Sequence, residues 1–235
     1  MIVAIHQPNY IPGLGYFHKM AKTDVLVLLD NVQYSKNNYT NRNRIRSREG
    51  WSWLTVPVCS SGHFGQPICE VETMDGDWEA QHWKRLVQEY GRSAHFRQYE
   101  AKLQPIYARR RSSLAEFNCE LIDFVRVSLG LETRIVKASQ IAAQGQSTDL
   151  LLALCTELGA TTYLSGQGGK KYLEIEKFER AGIVVQFQEF SHPRYDQVGE
   201  EFVPNLTVLD LLFNAGARSG QILFNDGSCP NHPNM

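Results

Sequence analysis

Val25–Leu29, VLVLL, is a continuous apolar run that stops dead at Asp30. A strand with no polar alternate residue needs cover on both faces, the situation of a strand inside a parallel sheet. Ile2–Ile5 is a second such run, and it stops at His6. Between the two, residues 13–22 place Leu14, Phe17 and Ala21 at helical spacing. Strand, helix and strand within about 30 residues make a βαβ unit, whose strands lie parallel.

The same grammar returns near the carboxyl end. Thr162–Leu164 reads as a strand, Gly166–Gly169 as a glycine loop, Lys171–Ala181 as a helix closed by Gly182, and Ile183–Phe190 as a strand. Between the two units, Trp51–Val58 is a further strand candidate and residues 59–68 a loop. Residues 77–90, 98–108 and 112–129 carry helical stripes, for instance Leu114, Phe117, Leu121, Phe124 and Val125. Thr133–Lys137 reads as a strand, Ser147 as the cap of a helix that stops at Gly159, and TVLDLLFNAG as an apolar helix. The expected fold is α/β: a mostly parallel, Rossmann-like sheet with helices on both faces and a helical insertion over residues 77–129. Residues 1–216 read as a single domain and 217–235 as a tail.

Composition narrows the function classes. A formal net charge of −1 gives no bulk electrostatic case for nucleic acid or a membrane surface. No stretch approaches the roughly 20 apolar residues of a membrane span, and the first residues lack the basic flank of a secretory signal. Cys59, Cys69, Cys119, Cys155 and Cys229 show no ligand spacing, so they read as reduced thiols in a cytoplasmic protein, with no metal. Cys59 with His63 lacks the third, orienting group of a thiol nucleophile.

In open α/β sheets, ligands bind beyond the carboxyl ends of the strands. The first strand ends in His6, Gln7, Asn9 and Tyr10; the second in Asp30 and Asn31; the strand from Thr162 in Ser165, Gly166, Gly168 and Gly169. Parallel strands bring these groups to one edge, so a shared pocket is expected. The competing reading is a polar turn that merely bonds its own backbone. Lys36, in the polar stretch after the second strand, and Tyr172, after the glycine loop, extend the candidate set. Arg42, Arg44, Arg46 and Arg48 recur at period two, so an extended backbone points them one way. For Arg42 and Arg44, a solvated edge strand and a diphosphate clamp are both open. His192, Tyr195 and Gln197 follow another strand end, and Asp210 sits among leucines, where a carboxylate is either a helix-dipole partner or a site residue. ARRR at 108–111 reads as an exposed helix end.

The stretches HQPNYIPGLGYFHKMAKTDVLVLLDNVQYSKNNYTNRNRI, WLTVPV, DWEAQHWKRLVQEYGRSAHF, TYLSGQGGKKYL and FVPNLTVLDLLFNAG together resemble the WbqC-like family, over residues 1–216. The family pattern often has Trp where this chain has Gly13. The resemblance implies a bacterial protein tied to O-antigen and other surface-polysaccharide (lipopolysaccharide) clusters, acting on amino sugars. A second similarity, to the opening of HIGH-type nucleotidyl transferases, lies in the His-bearing, Gly-containing turn after the first strand; position 9 here is Asn instead of the usual second His.

Together these imply an acyl or aminoacyl transferase, or an ATP-dependent amide ligase, acting on a nucleotide-linked amino sugar, with ATP or an activated acyl donor as cosubstrate. In that reading His6 serves as general base or phosphate contact, Asp30 orients the amine or the nucleotide, and Gly168 and Gly169 offer backbone amides to developing charge. The rival reading is a non-catalytic sugar-nucleotide-binding protein.

Overall fold

The computed structural model describes residues 1–59 and 65–224. Five parallel strands form the sheet in the order β5-β2-β1-β6-β7: β1 (Ile2–His6), β2 (Val25–Leu28), β5 (Arg134–Lys137), β6 (Thr162–Ser165) and β7 (Val184–Phe187). The expected Rossmann-like α/β fold is therefore the observed one. Alternate residues of each strand supply opposite layers. Ala4, Leu26, Leu28 and Leu164 join a cluster with Leu14, Phe17 and Met20 of helix α1 (Leu14–Ala21). Val3, Ile5, Val25, Val27 and Tyr163 pack against α5 (Ser147–Glu157) and α6 (Ile175–Arg180).

The first layer continues into α2 (Trp78–Tyr90), α3 (Phe96–Ala108), α4 (Leu114–Ser128) and α7 (Val208–Ala215). Aromatic rings hold it together: Phe213 lies 5.2 Å from Tyr90 and 5.0 Å from Phe96 between ring centroids. Helix α8 (Ser219–Leu223) follows, and Leu223 and Phe224 are buried.

Several boundaries differ from expectation. Trp51–Val58 does not join the parallel sheet; β4 (Gly50–Thr55) pairs antiparallel with β3 (Arg42–Ser47) as a separate hairpin. The edge strand left open for the arginine segment is β3, and its alternation is real: Asn43, Ile45 and Ser47 are buried while Arg42, Arg44 and Arg46 are half-buried, Arg46 donating to the Glu201 carbonyl at 2.7 Å. The helix expected from Lys171 starts only at Ile175, because the glycine segment coils into a 3₁₀ turn over Gln167–Lys171. Ser147 does not cap α5: it is the first helical residue, with φ +50°, and Gln146 stands at the cap without a side-chain bond. Of the arginines at 109–111, Arg109 and Arg110 are exposed, whereas Arg111 is tucked against Glu120. His63 and Cys229 lie outside the described residues.

Candidate active site at the carboxyl edge of the sheet

The loop leaving β1 is fixed from outside. Asn118 of α4 donates from Nδ2 to the carbonyls of Pro8 and Thr40, both at 2.8 Å. Asn43 of β3 donates from Nδ2 to the carbonyls of Tyr10 (3.2 Å) and Ile11 (2.8 Å). Ile11 has φ +35°, a conformation a β-branched residue adopts only under constraint. Tyr10 is fully buried, its hydroxyl 2.9 Å from His82 Nδ1 and 2.8 Å from the Tyr107 hydroxyl. The turn's backbone is thus over-determined by groups from several elements, the condition under which strain persists beside a working site.

His6, Asn9, Gly13, Tyr16, Tyr39, Asn43, Phe190 and His192 line a cleft of about 300 Å3 beside this turn. His6 is half-buried, with Nδ1 3.2 Å from the Gln7 carbonyl and its ring 4.6 Å from that of Tyr16. Burial, then the charge of Lys19, pushes its pKa down to about 3, so the imidazole is neutral at working pH. Gln7 accepts a bond from Thr40 at 3.4 Å. His192 bonds the Pro193 carbonyl through Nδ1, at 2.8 Å, and accepts the Asn205 N–H on Nε2, at 3.2 Å; burial lowers its pKa as well.

Other residues singled out in the sequence lie elsewhere. Tyr10 stands behind the cleft wall and not on it. Asp30 is buried, and both its oxygens are engaged by Ser139: the backbone N–H at 2.8 Å and the hydroxyl at 2.7 Å. It therefore ties the end of β2 to the segment after β5. Asn31 is partly buried, with Oδ1 unpartnered among the described residues, and Lys36 is exposed. Arg42 stacks on Trp53 at 4.2 Å, and Arg44 lies over Trp51 at 4.3 Å and Trp53 at 5.3 Å; both are half-buried, with Nε buried and unpartnered among the described residues. Ser165 is buried, its hydroxyl donating to the Gly166 carbonyl at 3.1 Å. Gly168 and Tyr172 are exposed. Gly169 is packed so that a Cβ would collide with Ser165 Oγ.

Tyr195, Gln197 and Asp210 form their own group. Asp210 Oδ1 accepts the Tyr195 hydroxyl at 2.9 Å and Gln197 Nε2 at 2.8 Å. Burial pushes its pKa up to about 6 from 3.8, against the pull of these bonds and of Arg46. A folded value above the unfolded one means that the native state binds the extra proton between those pH values. The associated stability is complete below about pH 4 and lost as the pH rises through about 6. Asp210→Asn keeps the acceptor and removes the charge. Its melting temperature is expected to exceed the parent's at pH 8, by an amount matching about 3 kcal/mol, and the gap to shrink toward pH 5. Thermal melts at both pH values check this; a gap that widens on acidification contradicts it.

Lys19, which no motif in the sequence singles out, is the unexpected member. It is 4% exposed, and among the described residues no acceptor or carboxylate pairs with its amine. A Cβ built on Gly166 would lie 4.0 Å from Lys19 Nζ, so the amine reaches the turn after β6. Burial lowers its pKa to about 8. Its neighbours Phe17, Met20 and Tyr16 are all buried, and a charge on such a short, enclosed helix was the available signal.

The WbqC-like protein family model matches residues 7–222. The chain belongs to the WbqC-like family. This WbqC-like chain is also 36% identical over 223 residues to the uncharacterized protein Rv1507c of Mycobacterium tuberculosis (strain ATCC 25618 / H37Rv), covering 94% of this chain and 96% of that protein. No solved structure matches it. Among the described residues of this WbqC-like chain, no helix is long and apolar enough to cross a membrane.

Proposed function

We propose that the protein is an enzyme of bacterial surface-polysaccharide assembly that joins an acyl or aminoacyl group to the amine of a nucleotide-linked amino sugar. The observation that carries this reading is the neutral His6 at the mouth of β1, beside Asn9 and His192 in a cleft at the ligand-binding edge of a parallel sheet. A neutral imidazole accepts a proton from an attacking amine. In the step, the amine nitrogen bonds the acyl carbon, and the bond from that carbon to the donor's sulfur or phosphoryl oxygen breaks. The displaced electron pair leaves with the donor fragment, and the amine's proton passes to the imidazole. ATP, where the donor is a free acid, supplies the phosphoryl or adenylyl group that activates it. The test is mass spectrometry of nucleotide amino sugars incubated with thioester donors, or with free acids plus ATP. One acyl mass added to the sugar nucleotide is expected; unchanged sugar across the panel, at high protein concentration, overturns the reading.

A non-catalytic sugar-nucleotide-binding protein is the second reading, favoured by two specific observations. Burial and the Lys19 charge make His6 a weak base, and Asp30 has both oxygens committed to Ser139. This reading expects stabilisation by the sugar nucleotide and no mass change with any donor.

A further inference from the structure

The strand order places one discontinuity in the sheet. From β1 the chain crosses through α1 to β2 on one side, while from β6 it crosses through α6 to β7 on the other. The two connections diverge between β1 and β6, and a crevice opens at the carboxyl ends of that pair. His6 ends one wall and Ser165 the other; Lys19, on α1, reaches the Gly166 turn above them.

We propose that this crevice is a phosphoryl-binding subsite, with the Lys19 ammonium as its anchor. Buried ammonium groups are costly unless an opposite charge and hydrogen bonds compensate them. Lys19 has neither among the described residues: its side chain is 4% exposed, the amine alone keeps a narrow opening, and its lowered pKa still leaves it mostly protonated at neutral pH. A fold that needed only packing would place an uncharged side chain beside Phe17 and Met20. The titratable group facing it from β1 is His6, neutral and therefore no counter-ion; the turn after β6 presents Ser165 and Gly166, which carry no charge. The missing partner is anionic. A Cβ on Gly166 would meet nothing nearer than the Lys19 Nζ at 4.0 Å, so the turn leaves the side facing the amine open. The adjoining cleft, walled by Tyr16, Tyr39 and Phe190, is of a size to take the ring portion of the same ligand. The subsite names which part of the proposed nucleotide-linked substrate is held here, and rests on that reading for the ligand's class. It is tested by binding alone, so a failure of acyl transfer leaves it untouched.

Filling the crevice with a dianion restores the amine's ordinary basicity. At pH 8 about half of the Lys19 population is unprotonated, and binding is expected to draw in about half a proton per ligand. The experiment is isothermal titration with UDP, GDP, dTDP and inorganic pyrophosphate at pH 8, in two buffers of different ionisation enthalpy, with uridine and acetate as controls. At least one diphosphate is expected to bind with net proton uptake. Lys19→Met is expected to weaken it roughly 10- to 100-fold and abolish the uptake. Gly166→Asp, which places a carboxylate in front of the amine, is expected to abolish diphosphate binding while the melting temperature holds or rises. Pyrophosphate binding as tightly as the nucleotides identifies a free-phosphate site of the same chemistry. Four results overturn the subsite: no diphosphate binding, binding unchanged in either variant, no buffer-dependent heat in the parent protein, or acetate competing on equal terms. The parent's proton uptake needs no variant to fold.

Discussion

Replacing His6 by alanine is expected to lower the turnover of acyl transfer by roughly 10²- to 10⁴-fold while the fold survives. The half-buried ring makes one long bond, to the Gln7 carbonyl, and contacts Tyr16, so little structural energy depends on it. Its basicity is held down first by burial and second by the charge on Lys19. A phosphoryl group seated on Lys19 cancels the second cause, so the imidazole becomes a better base when substrate is present. The pH profile carries the signature: the limb for kcat, which reports the loaded enzyme, should lie above that for kcat/KM, which reports the free one. A His6→Ala variant with unchanged kcat and a raised KM would instead mark a residue that only holds substrate.

Phe213→Ala is expected to destabilise the protein by roughly 3–5 kcal/mol. The ring is fully buried on α7 and packs against Tyr90, Phe96 and, at 6.3 Å between centroids, Tyr99. Those rings belong to α2 and α3 and cannot collapse onto a methyl group without moving their helices. The loss reaches the cleft as well, because the segment leading into α7 forms part of it: Leu206 lines the cleft and the Thr207 N–H bonds the Arg44 carbonyl at 2.9 Å. Denaturant titration with an unchanged slope and a lower midpoint is the expected result; a loss below about 1 kcal/mol would show that this layer repacks freely.

What the sequence made legible follows from the range of the forces involved. The strands β1, β2 and β6 were readable because a strand covered on both faces must be apolar throughout, which is a local property. The common edge for His6 and the glycine turn followed from parallelism. Hydrogen-bond partners were not readable. Tyr10 looked like a site residue because its partners, His82 and Tyr107, are 72 and 97 positions away; Asp30 looked free because Ser139 is 109 away. The pairing of β3 with β4 was not readable for a related reason: the half-buried arginines of β3 are accommodated by Trp51 and Trp53 on the facing strand. Lys19 was overlooked because a lysine in a helix ordinarily means solvent, and only the packing around α1 reverses that meaning.

The position of β1 in the sheet also orders the chain's biosynthesis. The central strand, β1, is made before its neighbours in the sheet, and the Met1 carbonyl accepts the N–H groups of Thr161 and Thr162. A nascent chain emerging from the ribosome can pair β1 with β2, yet one flank of β1 stays unpaired until the residues of β6 have been synthesised. During that interval an apolar strand edge is open to other chains, the period of greatest aggregation hazard for a non-local pairing. Ligand capture by the β1/β6 crevice accordingly waits for β6, and a premature stop before residue 162 leaves the β1 side of the site with nothing opposite it.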